Sequence, residues 1–490
     1  MTEEDGGDKM FKKLGELMKY TSEQLQVIEE RAPLVAVNAF AGAGKTSTLI
    51  GFAQARQRQR ILYLAFNRAI AEEAASKMPS NVTAKTAHSL AWGAAASALR
   101  HKISNKIPPA QALACLSKKH KLKDDLQSLK LCAQAIDLLG DFLYSQSHDI
   151  EAHFARSEYG EIEPLAKNLA KDIWLESSRP DGALPATHDT YFKLWQISRP
   201  VLPFDAILLD EAQDTNPALF DIFMSQGAQK VLVGDRHQNI YGFRRSMNAM
   251  AAAASVAKNL RLTKSFRFGS NIAKFANKIL HTYTDEDAKI EGCAPHEDVV
   301  SETFLSPEKY QTAILTRTNA GLFEIGAVFA SKGGRHKLRL LGEFSDYAFD
   351  DTLDIYYLMR GARSEIRSKH IAAFGSFSSM KAQAEATNDD EIKCRIRVVE
   401  QYGGAIPDIY RKLKQMVEDG NSSPKGALVM TTMHRSKGCE WDQVIIGLDA
   451  KHLPRLKMIR SPDLGDEVNL MYVAATRAKK SLVVREREFF

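Results

Sequence analysis

The segment that most restricts the fold of this chain is an apolar run that leads into a loop of small residues. Val35-Ala36-Val37-Asn38-Ala39 is followed by Phe40-Ala41-Gly42-Ala43-Gly44 and then by Lys45-Thr46. Small residues let backbone N–H groups close around phosphates at a helix N-terminus, where a lysine reaches the outer phosphates and a threonine hydroxyl can hold Mg²⁺. The pattern predicts a strand, a phosphate-binding loop and a helix. Ala39 replaces the first glycine of G-x-x-x-x-G-K-[ST], and alanine is small enough for the turn to form.

Composition excludes several classes of protein but indicates no partner. The chain has 490 residues, of which 44% are hydrophobic, and this length suffices for roughly three domains of about 150 residues each. The 66 Lys+Arg exceed the 60 Asp+Glu by only six charges. Five scattered cysteines without a CxxC pair argue against a disulfide framework and a zinc site. The acidic start and the lack of an apolar run near the ~18 residues of a membrane span lead us to expect an intracellular protein without membrane contact.

Short apolar runs that end in small or acidic residues recur along the chain. They cover 34–39, 61–66, 206–209 and 231–233 in the first half, and 313–316, 427–431 and 444–447 in the second. Each is typical of a buried parallel strand, and amphipathic stretches such as 69–77 separate them. The alternation predicts an α/β fold with two cores, each a parallel sheet flanked by helices.

Two mainly helical stretches interrupt this alternation, at about 95–184 and about 345–424. The second closes with the linker-like Asp419-Gly420-Asn421-Ser422-Ser423-Pro424. The predicted first core therefore comprises 1–94 and 185–262, and the predicted second core 263–344 and 425–490. Residues 95–184 (the first helical insertion) and 345–424 (the second helical insertion) are the predicted accessory subdomains.

Two cationic segments each have two open interpretations. Residues 101–130 hold seven lysines against two aspartates, and 451–460 hold four basic residues and no acid. The first is either a patch facing nucleic acid or a solvated helix face. The second either lines the path of a nucleic-acid strand or is a solvated loop.

A second apolar run, 206–209, ends directly in Asp210-Glu211-Ala212-Gln213-Asp214. Adjacent acids at a strand end suit nucleotide hydrolysis, because one carboxylate can hold Mg²⁺ and the next can orient or deprotonate the attacking water. Asp210 is the metal candidate and Glu211 the candidate base. Acids at a helix N-terminus are the alternative, but that alternative does not account for the apolar strand directly before them.

The order of these motifs resembles that of the UvrD/Rep/PcrA-like superfamily one DNA helicases. The phosphate loop and the acidic motif are followed by Gly234-Asp235-Arg236-His237-Gln238-Asn239-Ile240-Tyr241-Gly242-Phe243-Arg244. Thr187-His188-Asp189-Thr190-Tyr191-Phe192-Lys193-Leu194-Trp195 and Ser265-Phe266-Arg267-Phe268-Gly269 are most similar to the helicase portion of F-box DNA helicases. The resemblance spans about 20–482. It implies two RecA-like P-loop NTPase cores with two mainly helical inserted subdomains.

The resemblance also implies a set of nucleotide-site residues for ATP and Mg²⁺. Gln24 matches an adenine-reading glutamine, Phe266 an aromatic that stacks on the base, and Glu440 a ribose-binding acid. Gln238 would sense the γ-phosphate and the water, while Arg267 and Arg477 match arginine fingers. The loop contacts to ATP would come from Ala41, Gly42, Ala43, Gly44, Lys45, Thr46 and Ser47, with Thr46 also on the metal beside Asp210. Ser47 departs from the family, because bacterial members often have arginine there.

Family positions that contact single-stranded DNA match a further set of residues. Phe66, Tyr241 and Phe243 match base-stacking positions, since aromatic faces accept any base. Thr86, His88, His188, Thr432 and His434 match positions that contact the phosphate backbone. We therefore expect binding to single-stranded DNA and to single-strand/duplex junctions without sequence specificity.

The resemblance implies an ATP-dependent DNA helicase or translocase that moves 3′ to 5′ in DNA repair, recombination control or genome defence. The alternative is a DNA-stimulated ATPase that strips proteins such as recombinase filaments with little unwinding. A helicase-nuclease is disfavoured, because only 13 residues follow Arg477, and no F-box is expected in the short N-terminus. We expect a monomer with a protein partner for loading or recruitment. It would be cytoplasmic and nucleoid-associated if bacterial or phage, and nuclear if eukaryotic.

Overall fold

The computed structural model describes residues 20–240, 247–303, 305–307, 309–331, 337–386, 389–422, 424 and 426–484. These residues form two compact units. The first takes the described residues up to Ala39 together with Gly44–Leu262, and the second takes Phe40–Ala43 together with the described residues from Thr263 onward.

The first unit is built on a six-stranded parallel sheet in the order β3-β2-β4-β5-β1-β6. Its strands are β1 (Leu34–Ala39), β2 (Ile61–Ala65), β3 (Val82–Thr86), β4 (Ala206–Leu209), β5 (Gln229–Gly234) and β6 (Lys258–Leu262). Every residue of β2 and β4 is buried, as expected of parallel strands that are covered on both faces. Because the strands are parallel, the residues that follow β1, β4 and β5 emerge at one edge of the sheet.

Some helices of the first unit flank this sheet, and others form the first helical insertion. They are Ser22–Glu29, Lys45–Gln54, Arg68–Lys77, Ala87–Ala95, Pro109–His120, Leu126–Tyr144, Ile150–Phe154, Pro164–Ser178, His188–Ile197, Pro217–Met224 and Ala249–Ala253. Polar residues begin several of them: Asn67, Thr86, Asp125 and Asn216 each accept a backbone N–H of the first turn with the side chain. The starts of these helices are therefore encoded locally.

The first helical insertion has a core of its own, and two basic side chains are buried in or beside it. His153 is 1% exposed and lies among the rings of Phe142, Phe154 and Tyr159, with centroid distances of 5.6, 5.2 and 4.9 Å. Among the described residues, neither ring nitrogen of His153 has a hydrogen-bond partner. Burial, followed by the charge of Arg156, lowers the pKa of His153 to about 4.

Lys193, in helix His188–Ile197, is the second buried base. It is fully buried and donates from Nζ to the carbonyl oxygen of Ser145 at 2.9 Å, with its ammonium 4.4 Å from the centroid of Phe142. Burial lowers the pKa of Lys193 to about 7. The chain enters and leaves the insertion at neighbouring points. There the N–H of Ser104 donates to Ala186 O at 2.8 Å, and the N–H of Ala186 donates to Lys102 O at 3.0 Å.

The second unit carries another six-stranded parallel sheet, in the order β11-β12-β10-β13-β14-β9. Its strands are β9 (Val299–Ser301), β10 (Thr312–Thr316), β11 (Leu338–Leu340), β12 (Leu428–Thr432), β13 (Trp441–Ile446) and β14 (Ala478–Val483), and β7 (Lys264–Ser265) pairs separately with β8 (Glu291–Gly292). The central strand β10 is buried throughout. Apolar run 427–431 of the sequence corresponds to β12 and run 444–447 to the end of β13.

Helices of the second unit include those of the second helical insertion. They are Ser270–Tyr283, Asn319–Ser331, Phe349–Met359, Lys369–Ala372, Phe377–Ala386, Asp390–Tyr402, Ile406–Ser422, Leu453–Met458 and Leu464–Ala475. Side chains of this insertion share one core cluster with those of β10, β11 and β12. The insertion is therefore packed on its sheet.

The sequence interpretation of 419–424 as a linker was wrong for its first four residues. The helix Ile406–Ser422 continues through them, and Gly420 is buried. A Cβ at Gly420 would collide with the carbonyl oxygen of Leu338 in β11. Glycine is thus present because the helix backbone approaches a strand, and no turn is formed there.

The predicted fold class is confirmed: the chain has two RecA-like α/β units, each with a parallel sheet flanked by helices. The limits of the four predicted segments stay a prediction. Within the part of the chain that the structure describes, no helix is both long and apolar enough to cross a membrane.

Candidate nucleotide and nucleic-acid sites

The loop after β1 turns through two glycines before helix Lys45–Gln54. Gly42 and Gly44 have φ of +75° and +77°, a region that residues with side chains rarely adopt. Gly44 precedes the helix without a side-chain cap, so no capping side chain occupies the backbone N–H groups of its first turn. Ala39, in place of the expected first glycine, is fully buried at the end of β1. A small residue is therefore required there.

The tip of this loop, Phe40–Ala43, belongs to the second unit, and its backbone is held there by side chains. The N–H of Ala41 donates to the Tyr472 hydroxyl at 3.1 Å, and Ser265 Oγ donates to Ala41 O at 2.8 Å. A Cβ on Gly42 would lie 2.6 Å from the Cβ of Arg267. Position 42 thus requires glycine both for its positive φ and for this close approach.

Lys45 is brought against the acids that follow β4. Its Nζ lies 2.7 Å from Glu211 Oε1, and the two side chains are 16% and 23% exposed. Burial alone would lower the pKa of Lys45, but the charges of Glu211, Asp210 and Asp235 outweigh it, and the pKa is raised. Lys45 therefore stays charged beside these acids.

Asp210 is buried and is held by two donors. The Tyr63 hydroxyl donates to Asp210 Oδ2, and the N–H of Glu211 donates to Oδ1 at 2.9 Å. Burial and the charge of Glu211 raise the pKa of Asp210, while burial and the charge of Asp210 raise that of Tyr63. Glu211 has φ of +49°, an uncommon backbone conformation for a residue with a side chain. The backbone after β4 therefore turns sharply between the two acids.

The metal candidates are one buried carboxylate and one exposed hydroxyl. Thr46 and the neighbouring Ser47 are exposed at the start of the helix. Among the residues described, no group of three or more His, Cys, Asp and Glu is arranged to hold a metal ion. Mg²⁺ is commonly bound by one or two carboxylates together with phosphate oxygens and water. The chemistry of Asp210 and Thr46 fits that kind of site.

Gln213 links the residues after β5 to the acids after β4 through hydrogen bonds. Gln213 donates from Nε2 to Glu211 Oε2 at 2.6 Å and accepts the N–H of Asp235 on Oε1 at 3.1 Å. Asp235 Oδ2 in turn accepts a hydrogen bond from Gln238 Nε2 at 2.7 Å. Lys45, Glu211 and Gln238 therefore belong to one hydrogen-bonded cluster at the carboxyl edge of the first sheet.

Two of the predicted nucleotide residues of the second unit are paired with each other. Arg267 donates from Nε to Glu440 Oε2 at 2.8 Å and from one terminal nitrogen to Thr476 O at 3.1 Å. Glu440 is 47% exposed. Phe266 is 45% exposed, so its ring is available at the surface of the protein.

Arg477 lies deeper than Arg267. It is 2% exposed, and its guanidinium donates to Val473 O at 3.0 Å, to Cys439 O at 3.3 Å and to Thr476 Oγ1 at 3.2 Å. These bonds hold the side chain against the end of helix Leu464–Ala475. Its role as an arginine finger stays a prediction.

Gln24 caps the first described helix. Its N–H donates to Thr21 Oγ1 at 3.2 Å, and its Oε1 accepts the N–H of Thr21 at 2.9 Å, which is a capping box. The reciprocal bond fixes the amide of Gln24. Its role in reading adenine stays a prediction.

The predicted DNA residues of the first unit include two neighbouring histidines. His88 stacks on Phe192 at 4.8 Å with its Nε2 3.4 Å from Asp189, and His188 contacts the Tyr191 hydroxyl through Nδ1 at 3.0 Å. The helices Ala87–Ala95 and His188–Ile197 therefore bring these two motifs together. Phe66, after β2, is 45% exposed, and Thr86 caps the helix that bears His88.

The remaining predicted DNA residues differ in environment. Thr432 is buried at the end of β12, and burial followed by the charge of Arg317 lowers the pKa of His434 to about 4. Tyr241 and Phe243 lie outside the described residues. In the basic segment 101–130, Lys102 donates to three backbone carbonyls and is thus structural, whereas most of the other lysines are exposed.

Sequence reasoning missed three residues of the nucleotide site: Tyr63, Gln213 and Asp235. The sequence does not indicate a functional role for Tyr63, because it stands within an apolar strand. It meets Asp210 only because β2 pairs with β4 in the sheet. Gln213 and Asp235 were inside the quoted motifs. The signal that could have identified them was a polar side chain close to the end of a predicted apolar strand.

A parallel sheet with a glycine-containing loop after β1, a charged lysine beside that loop and adjacent acids after a neighbouring strand defines a P-loop nucleoside triphosphatase. Residues 24–244 match the model of an AAA domain, and 359–487 match that of the UvrD-like helicase C-terminal domain.

Three similar proteins indicate which kind of P-loop nucleoside triphosphatase the chain resembles. F-box DNA helicase 1 of Gallus gallus is 31% identical over 510 residues, which cover 96% of this chain and 49% of that protein. F-box DNA helicase protein 1 of Schizosaccharomyces pombe is 30% identical over 514 residues, covering 95% and 57%. ATP-dependent DNA helicase Rep of Buchnera aphidicola is 41% identical over 78 residues, 16% of this chain and 11% of that protein.

The chain carries a UvrD-like helicase C-terminal domain and is similar over nearly its whole length to F-box DNA helicases, as its motifs predict. It spans about half the length of the two F-box DNA helicases that it matches.

Proposed function

We propose that this protein is an ATP-dependent translocase on single-stranded DNA that unwinds duplex DNA. The observation that carries the proposal is the cluster of Lys45, Asp210 and Glu211 at one edge of a parallel sheet. A charged lysine and two adjacent acids are the groups that nucleotide hydrolysis needs. The similarity to proteins named DNA helicases supports DNA as the substrate.

The nucleotide site fits a triphosphate with Mg²⁺. ATP supplies the phosphoryl group that passes to water, and the small-residue loop with the ammonium of Lys45 suits its phosphates. Asp210 and the Thr46 hydroxyl would hold the metal ion. The raised pKa of Lys45 keeps the charge that the phosphates require.

Glu211 would orient or deprotonate the attacking water, and Gln238 would sense the γ-phosphate. Arg267 and Arg477 would stabilise the charge of the transition state, while Phe266 and Glu440 would contact base and ribose. Such charges lower the barrier because the transferring phosphoryl group spreads negative charge over its oxygens.

The proposed DNA contacts carry no base preference. Phe66, together with Tyr241 and Phe243, would stack on bases, while Thr86, His88, His188, Thr432 and His434 would contact the phosphate backbone. Movement from 3′ to 5′ is proposed from the family alone. We propose repair, recombination control or genome defence as the setting, in the nucleoid or in the nucleus according to the organism.

The test is ATP turnover with and without single-stranded DNA. We expect stimulation in the wild type and loss of it in Glu211→Gln and Lys45→Ala. Lys381→Ala is the matched control, since Lys381 also pairs with an acid, Glu400 at 2.6 Å, but lies in the second helical insertion. Unstimulated wild-type turnover, or full turnover in Glu211→Gln, contradicts the proposal.

A second assay separates unwinding from protein removal. Duplexes with 3′ or 5′ tails are offered with and without a bound protein, and both strand separation and protein release are measured. Strand separation from the 3′ tail supports the helicase. Release of protein without strand separation supports the remodelling ATPase instead.

A further inference from the structure

Gln213 lies between the acid Glu211 and the segment after β5, and its amide contacts both. We infer that Gln213 is the positioning residue that couples this segment to the orientation of the Glu211 carboxylate. The inference rests on the proposed function, because Glu211 is the proposed base. Gln213 is fully buried, so its amide cannot exchange these partners for water.

The first half of the coupling is the hold on Glu211. Lys45 contacts Oε1 at 2.7 Å, and Gln213 contacts Oε2 at 2.6 Å. Two donors on different oxygens fix the rotation of a carboxylate. Lys45 is the residue proposed to serve the phosphates, so Gln213 is a contact that keeps the carboxylate oriented once nucleotide engages the lysine.

The second half of the coupling is the hold on the segment after β5. Gln213 accepts the N–H of Asp235 at 3.1 Å with its side chain, and its backbone oxygen accepts Asn239 Nδ2 at 2.8 Å. Gly234 completes the fit, because a Cβ there would collide with Gln213 Oε1. The segment Gly234–Asn239 is therefore packed against Gln213 at both ends.

The same segment leads to the proposed DNA-stacking residues. Tyr241 follows Asn239 by two positions and Phe243 by four. A displacement of the segment when DNA binds would reach Gln213 through Asn239 and Asp235. It would then reach the proposed base through a single further hydrogen bond.

The chain offers a matched control in Gln226. Gln226 is also buried in the first unit, accepts the N–H of Leu202 on Oε1 at 2.9 Å and donates from Nε2 to Pro200 O and Ile222 O. It therefore has the same pattern of amide bonds as Gln213 but no contact with the acids. Loss of its amide tests the structural cost alone.

The experiment measures ATP turnover, KM for ATP and stimulation by an oligothymidylate strand, together with thermal unfolding. We expect Gln213→Leu to lower the DNA-stimulated kcat by about 10- to 100-fold with KM within about 3-fold, since a hydrogen bond to a charged group is lost. Gln213→Glu keeps an acceptor for Asp235 but replaces the donor to Glu211 by a second buried carboxylate, so we expect both its kcat and its unfolding temperature to fall. Gln226→Leu lowers the unfolding temperature and keeps the kcat and the stimulation ratio of the folded fraction.

Gly234→Ala is the second variant, in case Gln213→Leu fails to fold. Its methyl group crowds Gln213 Oε1 without removing the amide, and we expect a lower stimulation ratio. Unchanged kcat and stimulation in Gln213→Leu, beside a stimulated wild type, overturn the inference alone. Equal losses in Gln213→Leu and Gln226→Leu also overturn it. A wild type without stimulation overturns the proposed function first.

Discussion

The buried neutral imidazole of His153 makes the first helical insertion sensitive to acid. Above about pH 6.5 the histidine is neutral in the folded and in the unfolded chain. As the pH falls below this value, the unfolded chain takes up a proton, whereas the folded chain does so only near pH 4, because the pKa of His153 is lowered to about 4. The unfolded state then binds more protons, so stability falls with decreasing pH.

The size of this effect follows from the two pKa values. A separation of the pKa from about 6.5 to about 4, at about 1.4 kcal/mol per unit, sets a ceiling of about 3.5 kcal/mol. Between pH 7.5 and pH 5 the same relation gives about 2 kcal/mol. Other titrating groups add their own dependence, so the contribution of His153 is the difference between the wild type and His153→Leu.

Hydrogen exchange of the amides in helix Leu126–Tyr144, which carries Phe142, reports this local stability. We expect the wild type to lose about 2 kcal/mol more than His153→Leu between pH 7.5 and pH 5. His281→Leu, at a histidine of the second unit that is exposed, is the control and should follow the wild type. An equal pH dependence in wild type and His153→Leu would refute the reasoning.

Three further substitutions test other contacts. Tyr63→Phe removes a donor from the buried Asp210 and should lower the free energy of unfolding by about 1.5–3 kcal/mol; an unchanged urea midpoint contradicts this. Gly420→Ala should destabilise by about 1–3 kcal/mol or more through overpacking. Gly404→Ala should not, because no atom of the described residues lies within 4 Å of a Cβ at that position; equal urea midpoints for the two variants would count against the close approach. Arg267→Ala should lower kcat by about 10³-fold with ATP affinity largely kept, as for arginine fingers; a matched loss of affinity in a nucleotide-binding assay would place Arg267 in ground-state binding.

Local signals account for the parts of the fold that the sequence predicts. β1, β2, β4 and β10 are apolar runs of four to six residues that stand out without knowledge of their neighbours. The loop before Lys45 is likewise encoded by consecutive residues. Helix starts at residues such as Asn67 and Asp125 follow from capping side chains.

Distant contacts explain the rest. β3 and β6 contain charged residues such as Lys85 and Arg261 and lack an apolar run, because they lie at the two edges of the sheet. Gly420 was read as part of a linker because its reason for being glycine is a backbone 82 positions earlier in sequence, at Leu338. Tyr63 meets Asp210 across 147 positions. A pattern among neighbouring residues cannot indicate contacts between positions that are so far apart in the sequence.

The burial of Lys193 matters for any attempt to shorten the chain. The first helical insertion leaves and re-enters the unit where Lys102 and Ala186 pair, so a designer could join the chain at these neighbouring points and delete the helices between them. Deletion would remove Ser145 and Phe142, the acceptor and the ring that accompany the Lys193 ammonium. The lysine stays behind in helix His188–Ile197 without them. Water would replace them around the ammonium, so in a shortened protein the pKa of Lys193 should rise from about 7 toward the ordinary value for lysine.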